Sequence, residues 1–202
     1  IDLCIDVRMA FSSGIGTYIR EIVPLLQRFR VILLVDKLGH AWCKKFEQIA
    51  FDAPIYSLKE QALYPLKIPR CDLFWSPHYN VPLLPIRAGK RITTIHDACH
   101  LVFGSPPEKL YTKFVMRRAI RSDKVITVSK FSKKEIEKFF GKRNLEVIPI
   151  GVNRDRFTRR TASAQVRKKY QLPRKFVLFV GNEKPHKNID GLVRAFAKVK
   201  IP

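Results

Sequence analysis

Three short segments of this sequence place glycine, histidine or lysine between a strand-like apolar run and a helix-like run. In a parallel sheet, strand ends and helix N-termini at such junctions face the edge where ligands bind. The segments are SSGIGTY at residues 12–18, HDACH at residues 96–100 and GNEKPHKN at residues 181–188. Together they indicate binding of an anionic or hydroxyl-bearing ligand.

The first segment contains Gly14 and Gly16 ahead of a predicted helix. Glycine lets the backbone approach a ligand closely, and the helix N-terminus offers unpaired N–H groups and a positive dipole end to an anion. The third glycine of the dinucleotide-binding fingerprint is missing, which disfavours hydride transfer to a nicotinamide cofactor. A tight turn between a strand and a helix explains the same residues equally well.

The second segment begins with His96 and Asp97, directly after the apolar strand RITTI. Because ligands of open parallel sheets bind at the carboxyl ends of the strands, we expect both side chains in the crevice. A neutral histidine there hydrogen-bonds a sugar hydroxyl or a carbonyl, and Asp97 is expected to orient it. One alternative is a strand-end histidine bonded only to backbone. The other is a metal site using both histidines of HDACH, for which the sequence indicates no further acidic or thiol partners.

The third segment again lies between a predicted strand, FVLFV, and a predicted helix. Lys184, His186 and Lys187 bring cationic donors to a helix N-terminus, an arrangement suited to a diphosphate. Solvated loop lysines are the alternative interpretation. P-loops, serine nucleophile elbows and DxD-type metal motifs do not occur in the sequence.

Apolar runs rich in Val, Ile, Leu and Phe alternate with amphipathic stretches, which is typical of βα repeats. We therefore predict an α/β fold, a Rossmann-like parallel sheet flanked by helices, with an incomplete second Rossmann-like domain. The predicted strands are Ile1–Val7, Val31–Asp36, Pro54–Leu58, Leu73–Ser76, Arg91–His96, Lys124–Val128 and Leu145–Ile148. The predicted helices are Ile15–Phe29, His40–Ile49, Glu108–Arg121, Lys130–Phe140 and Ala162–Tyr170. One face of the third helix contains Leu110, Phe114, Val115, Ala119 and Ile120.

Residues 149–160 lose apolar periodicity and are predicted to link two domains, 1–158 and 159–202. The second region holds one strand, one loop and one helix. A single unit of this kind is too small to be a domain, so we expect the chain to be part of a longer protein.

The formal net charge is +22, and 21 basic against 6 acidic residues lie between positions 108 and 175. Such an excess favours anionic partners: phosphorylated substrates, an acidic lipid surface or nucleic acid. No RRM, KH, zinc-finger or helix-turn-helix pattern accompanies it, so a specific nucleic-acid partner is not expected. The four cysteines form no CxxC pair, and no apolar run approaches the ~20 residues of a membrane span. We expect a cytoplasmic protein that associates peripherally with the inner face of the cell membrane.

In order along the chain, six blocks resemble the pattern of glycosyltransferase family 4, whose members have the two-domain GT-B fold. The blocks are DVRMAFSSGIGTYIREIVPLL, DLFWSPHYNVPLLP, RITTIHDACHLVF, RRAIRSDKVITVSKFSKKEIEKFFG, VIPIGVNRDRF and FVLFVGNEKPHKNIDGLVRAF. The resemblance covers most of the chain, and VSKFSKKEI and IPIGV are its more specific parts. It is greatest for mannosyltransferase-type members acting in bacterial polysaccharide or lipopolysaccharide assembly.

The resemblance implies a retaining transferase in which the first domain binds the acceptor and the second binds a nucleotide sugar. His96 would contact the transferred sugar, and Lys187 would stabilise the leaving diphosphate in place of a metal ion. No cofactor or metal is expected, and the acceptor is a glycan or a lipid phosphate. The implied site residues are His96, Asp97 and Lys187 for catalysis, Gly14, Gly16, Lys184 and His186 for the donor, and Tyr18, His78 and Tyr79 for the acceptor.

The sequence departs from the family pattern in two respects. Many relatives place an arginine in the loop after the second-domain strand, where this chain has Asn182 and His186, and Lys184 lacks arginine's bidentate fork. The paired glutamates that hold the sugar and the ribose are expected beyond residue 202, so we expect the chain alone to be inactive. The alternatives are a sugar-nucleotide epimerase of similar architecture, a nucleic-acid-binding module and a non-catalytic membrane scaffold.

Overall fold

Seven parallel strands form one sheet in the order β3-β2-β1-β4-β5-β6-β7. A computed structural model describes residues 1–155, 164–173, 175–181, 183–184 and 187–199. The strands are β1 (Asp2–Asp6), β2 (Arg30–Val35), β3 (Glu47–Ala50), β4 (Cys71–Ser76), β5 (Ala88–Ile95), β6 (Lys124–Thr127) and β7 (Leu145–Val147). The α/β Rossmann-like prediction is therefore confirmed.

Most of the parallel strands are connected through helices, whereas β2 leads to β3 through a 3₁₀ turn and β4 leads to β5 through a loop, residues 77–87. The helices are α1 (Ser13–Ile22), α2 (Leu58–Lys67), α3 (Cys99–Phe103), α4 (Pro106–Ala119) and α5 (Lys130–Phe140), with 3₁₀ turns at Val23–Leu26 and Ala41–Cys43. Successive side chains of β1 point to opposite faces of the sheet, so the core has two parts. Leu3 and Ile5 pack with α1, whereas Cys4 packs with α2. A third cluster joins α4 and α5 to β6 and β7 through Val115, Met116, Val125, Ile136 and Leu145.

The chain divides into two compact units, Ile1–Asn153 and Arg154–Pro202. The predicted domain boundary after residue 158 lies outside the described residues. The described part of the second unit contains α6 (Ala164–Lys169) and α7 (Ile189–Phe196), and none of its described residues is buried. The predicted strand FVLFV, residues 176–180, is not a strand, because no described segment pairs with it.

Two predicted elements between β2 and α2 are wrong. Residues 40–49 do not form one helix, because Glu47–Ala50 pairs in parallel with the open edge of β2. Residues 54–58 do not form a strand, because Ser57 caps α2: its Oγ accepts a hydrogen bond of 3.0 Å from the N–H of Glu60. The predicted helix Ile15–Phe29 ends earlier, at Ile22, with Pro24 in the following 3₁₀ turn.

The predicted buried face of α4 is partly wrong. Val115 and Ala119 are buried as expected, but Thr112 and Met116 complete the buried face. Leu110 and Phe114 are 73% and 62% exposed. Residues 112, 115, 116 and 119 share one side of the helix, and this side leaves Leu110 and Phe114 facing outward.

Candidate functional site

The candidate site lies where the strand order of the sheet reverses. From the adjacent strands β1 and β4, the chain connects outward in opposite directions, to β2 on one side and to β5 on the other. The loops after β1 and β4 therefore separate at their carboxyl ends. In open parallel sheets, the crevice formed at such a reversal is the usual ligand site.

His96 follows β5 at this edge and is fixed by the neighbouring loop. Its Nε2–H donates to the carbonyl oxygen of Pro77, at 2.9 Å. Because a carbonyl only accepts hydrogen bonds, this contact places the proton of the neutral ring on Nε2 and leaves Nδ1 as an acceptor. Nδ1 makes no hydrogen bond with the described part of the chain. Burial lowers the pKa of His96, although the Pro77 bond and Asp97 oppose this, so the ring is neutral near pH 7.

Tyr18 joins helix α1 to His96. The two rings are perpendicular, with centroids 4.9 Å apart, and the Tyr18 hydroxyl lies 3.4 Å from the Oγ of Thr94. Trp75 Nε1 donates to the same Thr94 oxygen at 3.0 Å. Tyr18 is buried, and its side chain packs against the His96 ring in the structure. Its contact with an acceptor stays a prediction.

No hydrogen bond joins Asp97 to His96 in the described part of the chain. Oδ1 of Asp97 instead accepts from the N–H of Cys99 at 2.9 Å, at the start of α3. The hydrogen-bonded partner that fixes the His96 ring is the Pro77 carbonyl. Asp97 is exposed, and its described effect on His96 is electrostatic. The second histidine of HDACH, His100, lies near Tyr79, with ring centroids 5.8 Å apart.

A buried charge cluster supports the loops after β1 and β4. The Arg8 guanidinium donates two hydrogen bonds to the Asp6 carboxylate, from Nε to Oδ1 at 2.9 Å and from Nη2 to Oδ2 at 2.6 Å. The same Nη2 lies 2.7 Å from Oε1 of Glu60, on α2. All three side chains are almost fully buried. Arg8 and the other donors around Asp6 hold the pKa of its carboxyl below the usual range, despite its burial.

Neutral side chains complete this cluster. The Tyr64 hydroxyl accepts from Arg8 and donates to Asp6, both at 2.8 Å. Asn80 Nδ2 donates to Glu60 at 2.7 Å, and Asn80 Oδ1 accepts from the Tyr111 hydroxyl at the same distance. Burial raises the pKa of Glu60, while Arg8 and Asn80 act in the opposite direction. The cluster thus ties α2 and α4 to the ends of β1 and β4.

His78 is the least satisfied member of this region. Its Nδ1 accepts from the N–H of Asn80 at 3.2 Å, which places the ring proton on Nε2. Nε2 is buried without a hydrogen-bond partner in the described part of the protein, and Asp6 Oδ2 lies 4.0 Å away. Burial lowers the pKa of His78 to about 4, with Arg8 and His96 acting in the same direction and Asp6 opposing them. His78 is therefore neutral at pH 7.

The two glycines of the first loop have different surroundings. A Cβ at Gly16 would collide with the backbone carbonyl of Ala10, so Gly16 allows α1 to pack against the loop after β1. Nothing lies within 4 Å of a Cβ at Gly14, which is exposed at the start of the helix. Ser12 makes no side-chain cap there. Gly14 thus has the free space that an approaching ligand needs, whereas Gly16 has a packing role.

The predicted donor residues of the second unit lie ahead of α7. Lys184 and Lys187 are exposed, and the N–H of Lys187 donates to the Lys184 carbonyl at 2.8 Å. Both lysines thus belong to one turn before the helix. His186 and Asn182 lie outside the described residues.

The structure brings Tyr18, His78 and His96 to the reversal of strand order, together with the cluster around Arg8. Tyr79 lies elsewhere, buried against the core beneath α3 and α4 and stacked on Tyr56, with ring centroids 6.0 Å apart. Four residues of the buried cluster were not predicted from the sequence: Asp6, Arg8, Glu60 and Asn80. The segment IDVR indicated part of the cluster, because two charged residues end an apolar strand there. Nothing in the residues around Glu60 indicates that its side chain is buried.

Most of the chain matches the model of one known protein family. The model described as Glycosyltransferase Family 4 matches residues 12–156. That range includes the first loop, His96 and most of the sheet. No curated protein matches the chain. Since the family match covers well over half of the sequence, the chain belongs to glycosyltransferase family 4.

Proposed function

We propose that this family 4 chain acts, within its full-length protein, as a retaining transferase using a nucleotide sugar as donor. The acceptor is a glycan or a lipid phosphate of cell-surface polysaccharide assembly, and mannose is the proposed sugar. The supporting observation is the neutral His96, which is fixed through Nε2 at the carboxyl edge of the sheet and has Nδ1 left as an acceptor.

His96 would act on the transferred sugar by accepting a hydrogen bond from a hydroxyl at Nδ1. The Pro77 carbonyl keeps the ring in the tautomer that this contact needs. Tyr18 packs against the ring and limits its rotation. Because a prealigned group loses little freedom on binding, its interaction is available as the transition state forms.

The donor diphosphate would be stabilised by positive charge and backbone N–H groups. Lys187 neutralises charge on the leaving phosphate, and Lys184 and His186 are the proposed additional donors. Gly14 leaves open space at the N-terminus of α1 for a phosphate oxygen. The proposal includes no metal ion. Transfer is front-side, with the sugar–phosphate bond breaking as the acceptor oxygen bonds to the sugar, and the leaving phosphate takes up the proton of the acceptor.

A transfer assay on the full-length protein tests this proposal. A panel of nucleotide sugars is incubated with lipid-phosphate and glycan acceptors, and both the released nucleotide and the modified acceptor are measured. We expect one donor to be consumed, and His96→Ala to lower kcat/KM by roughly 10²-fold or more. Thermal unfolding of the variant establishes that it is folded.

His100→Ala is the matched control, because His100 belongs to the same segment but is exposed. It should keep the parental kcat/KM. Consumption of donor with formation of an epimerised nucleotide sugar would identify an epimerase and contradict the proposal. Equal kcat/KM values for His96→Ala and the parent would show that His96 takes no part in catalysis.

A further inference from the structure

Helix α4 presents an apolar and then basic stripe to solvent. Leu110, Phe114, Arg117 and Arg121 follow one another at intervals of four, three and four residues, so they lie along one side of the helix and its C-terminal extension. That side is opposite the buried face formed by Thr112, Val115, Met116 and Ala119. The first half of the stripe is apolar and the second half is basic.

Helix α5 repeats this pattern. Phe131 is 72% exposed, and Lys134 and Lys138 follow on the same side of the helix. The two helices pack on one core cluster through residues such as Val115 and Ile136. Their C-terminal ends border a common groove of about 270 Å³ lined by Arg117, Ile120, Arg121, Phe139, Phe140 and Arg143. We refer to the exposed residues Leu110, Phe114, Arg117, Arg121, Phe131, Lys134 and Lys138 as the α4–α5 surface.

The direction of the two helices places the apolar half near the candidate site. In the parallel sheet, α4 follows the carboxyl end of β5 and α5 follows that of β6. Both helices therefore start at the edge of the sheet where His96 lies. Phe103, at the end of α3, adds another exposed aromatic ring at this edge. The basic half lies farther from it.

The acidic residues on these helices reduce the basic character only locally. Glu108 accepts hydrogen bonds from Ser105 N–H and Oγ, at 2.8 and 3.0 Å, in a capping box. Glu135 pairs with Lys138. Glu137 is the third acid of this region, against eleven Lys and Arg residues in segments 106–121 and 130–143.

We infer that the α4–α5 surface binds an anionic lipid bilayer, with Leu110, Phe114 and Phe131 entering the headgroup boundary. Exposed leucine and phenylalanine beside lysine and arginine match a bilayer, which offers hydrocarbon next to phosphate. No helix in the described residues is long and apolar enough to cross a bilayer, and the inference concerns binding at the surface. Where the proposed function holds, an acceptor anchored in that bilayer arrives at the His96 edge.

Vesicle flotation tests this inference without donor or acceptor, so its outcome is independent of the transferase proposal. The probes are vesicles of phosphatidylcholine alone and of phosphatidylcholine with roughly 30% phosphatidylglycerol. The second composition gives the vesicle the negative surface charge of an anionic leaflet. We expect the chain to float with the anionic vesicles only. The double variant L110S/F114S should bind at least roughly tenfold more weakly, at unchanged net charge, because it loses two apolar side chains.

The matched control replaces two more exposed leucines of α2, Leu58 and Leu66, which are 90% and 79% exposed. L58S/L66S should bind as the parent does. R117E/K134E should lose roughly tenfold or more, and this loss should shrink as salt is raised. Circular dichroism melting curves for all variants establish that the folded state is retained, which is expected because every replaced side chain is exposed.

Other occupants of the surface give other outcomes, each of which overturns the inference. Absence of binding to anionic vesicles, or equal binding by L110S/F114S and the parent, excludes lipid insertion. A dimer that L110S/F114S dissociates, with no vesicle binding by the parent, identifies a contact between copies of the chain. Tighter binding to a single-stranded oligonucleotide, which releases the chain from vesicles, identifies a nucleic-acid surface.

Discussion

Two loops of this chain have the same sequence pattern and different structural support. Each lies between an apolar run and a helix-forming stretch, at residues 12–18 in the first unit and 181–188 in the second. Behind the first loop, β1 pairs with two neighbours and the charge cluster around Arg8 is buried. Around the second, no described residue is buried and the apolar run forms no strand.

The difference between the two loops indicates what fixes the position of a ligand-binding loop. Glycine and a helix N-terminus give a loop the capacity to bind an anion, but they do not fix where the loop lies. The first loop is held by Arg8, whose partners come from β1 and α2, and by the close approach at Gly16. We therefore expect stability in the first unit to be sensitive to single substitutions behind this loop.

The largest expected effect is on Arg8. Arg8→Met removes the cation between two buried carboxylates, Asp6 and Glu60, and should lower the free energy of unfolding by about 3–5 kcal/mol. Chemical denaturation monitored by circular dichroism measures this change. Arg30 is the matched control, because its ion pairs with Asp2 and Glu47 are exposed. Arg30→Met should cost less than about 1 kcal/mol, and equal losses in the two variants would contradict the role of the buried cluster.

The next effect is a dependence of stability on pH that arises at His78. Its pKa is about 4 in the fold, below the ordinary 6.5, so the unfolded chain binds the extra proton between these values. Stability from this source is complete above pH 6.5 and falls by about 3 kcal/mol as the pH drops to 4. Denaturation measured at several pH values tests this.

His78→Asn is the informative variant for that experiment, because its side-chain oxygen still accepts from the Asn80 N–H while the titrating group is gone. The difference in unfolding free energy between parent and variant should shrink as the pH falls from 6.5 to 4. The lowered pKa of His96 adds a dependence of the same sign, and the raised pKa of Glu60 acts oppositely, in both proteins alike. A constant difference across this range would show that His78 does not titrate as described.

The smallest effect separates the two glycines of the first loop. Gly16→Ala forces a methyl group against the Ala10 carbonyl and should cost about 1–3 kcal/mol. Gly14→Ala meets open space and should leave the melting temperature unchanged or slightly raised, since alanine favours a helix. Thermal unfolding of both variants measures the contrast. If Gly14→Ala were as destabilising as Gly16→Ala, the proposed division between packing and ligand access would be wrong.

Most of the sheet followed from the sequence because its strands are apolar runs of the expected length. β1, β2 and β4–β7 lie within a few residues of the predictions. β3 did not, because Glu47–Ala50 is a short, partly polar edge strand that becomes recognisable only through its pairing with β2. Leu110 and Phe114 were assigned to the buried face because apolar residues were assumed to face the core. Burial of Thr112 and Met116 in their place shows the limit of that assumption.

The site was predictable only where its chemistry is local in sequence. His96 was proposed as a site residue because it ends an apolar strand, and this role stays a prediction. The family match over residues 12–156 confirms the resemblance to the family. Its hydrogen bond to Pro77 could not be foreseen, since the partners lie 19 residues apart. The same holds for Arg8 and Glu60, which are separated by 52 residues. Strand order decides which polar groups come into contact when they are distant in the sequence. These contacts form only when the sheet is assembled.

The central position of β1 also has a consequence for the order in which the molecule folds. One of its neighbours, β4, lies about 70 residues later in the chain, where Leu3 pairs with Leu73. During synthesis, the first strand therefore emerges long before one of its two partners exists. Until α2 and β4 have followed, Asp6 and Arg8 remain solvated and the sheet has an open edge at its future centre. Contacts of such long range are typical of slow folding, so this chain should reach its native state late and depend on protection of that edge meanwhile.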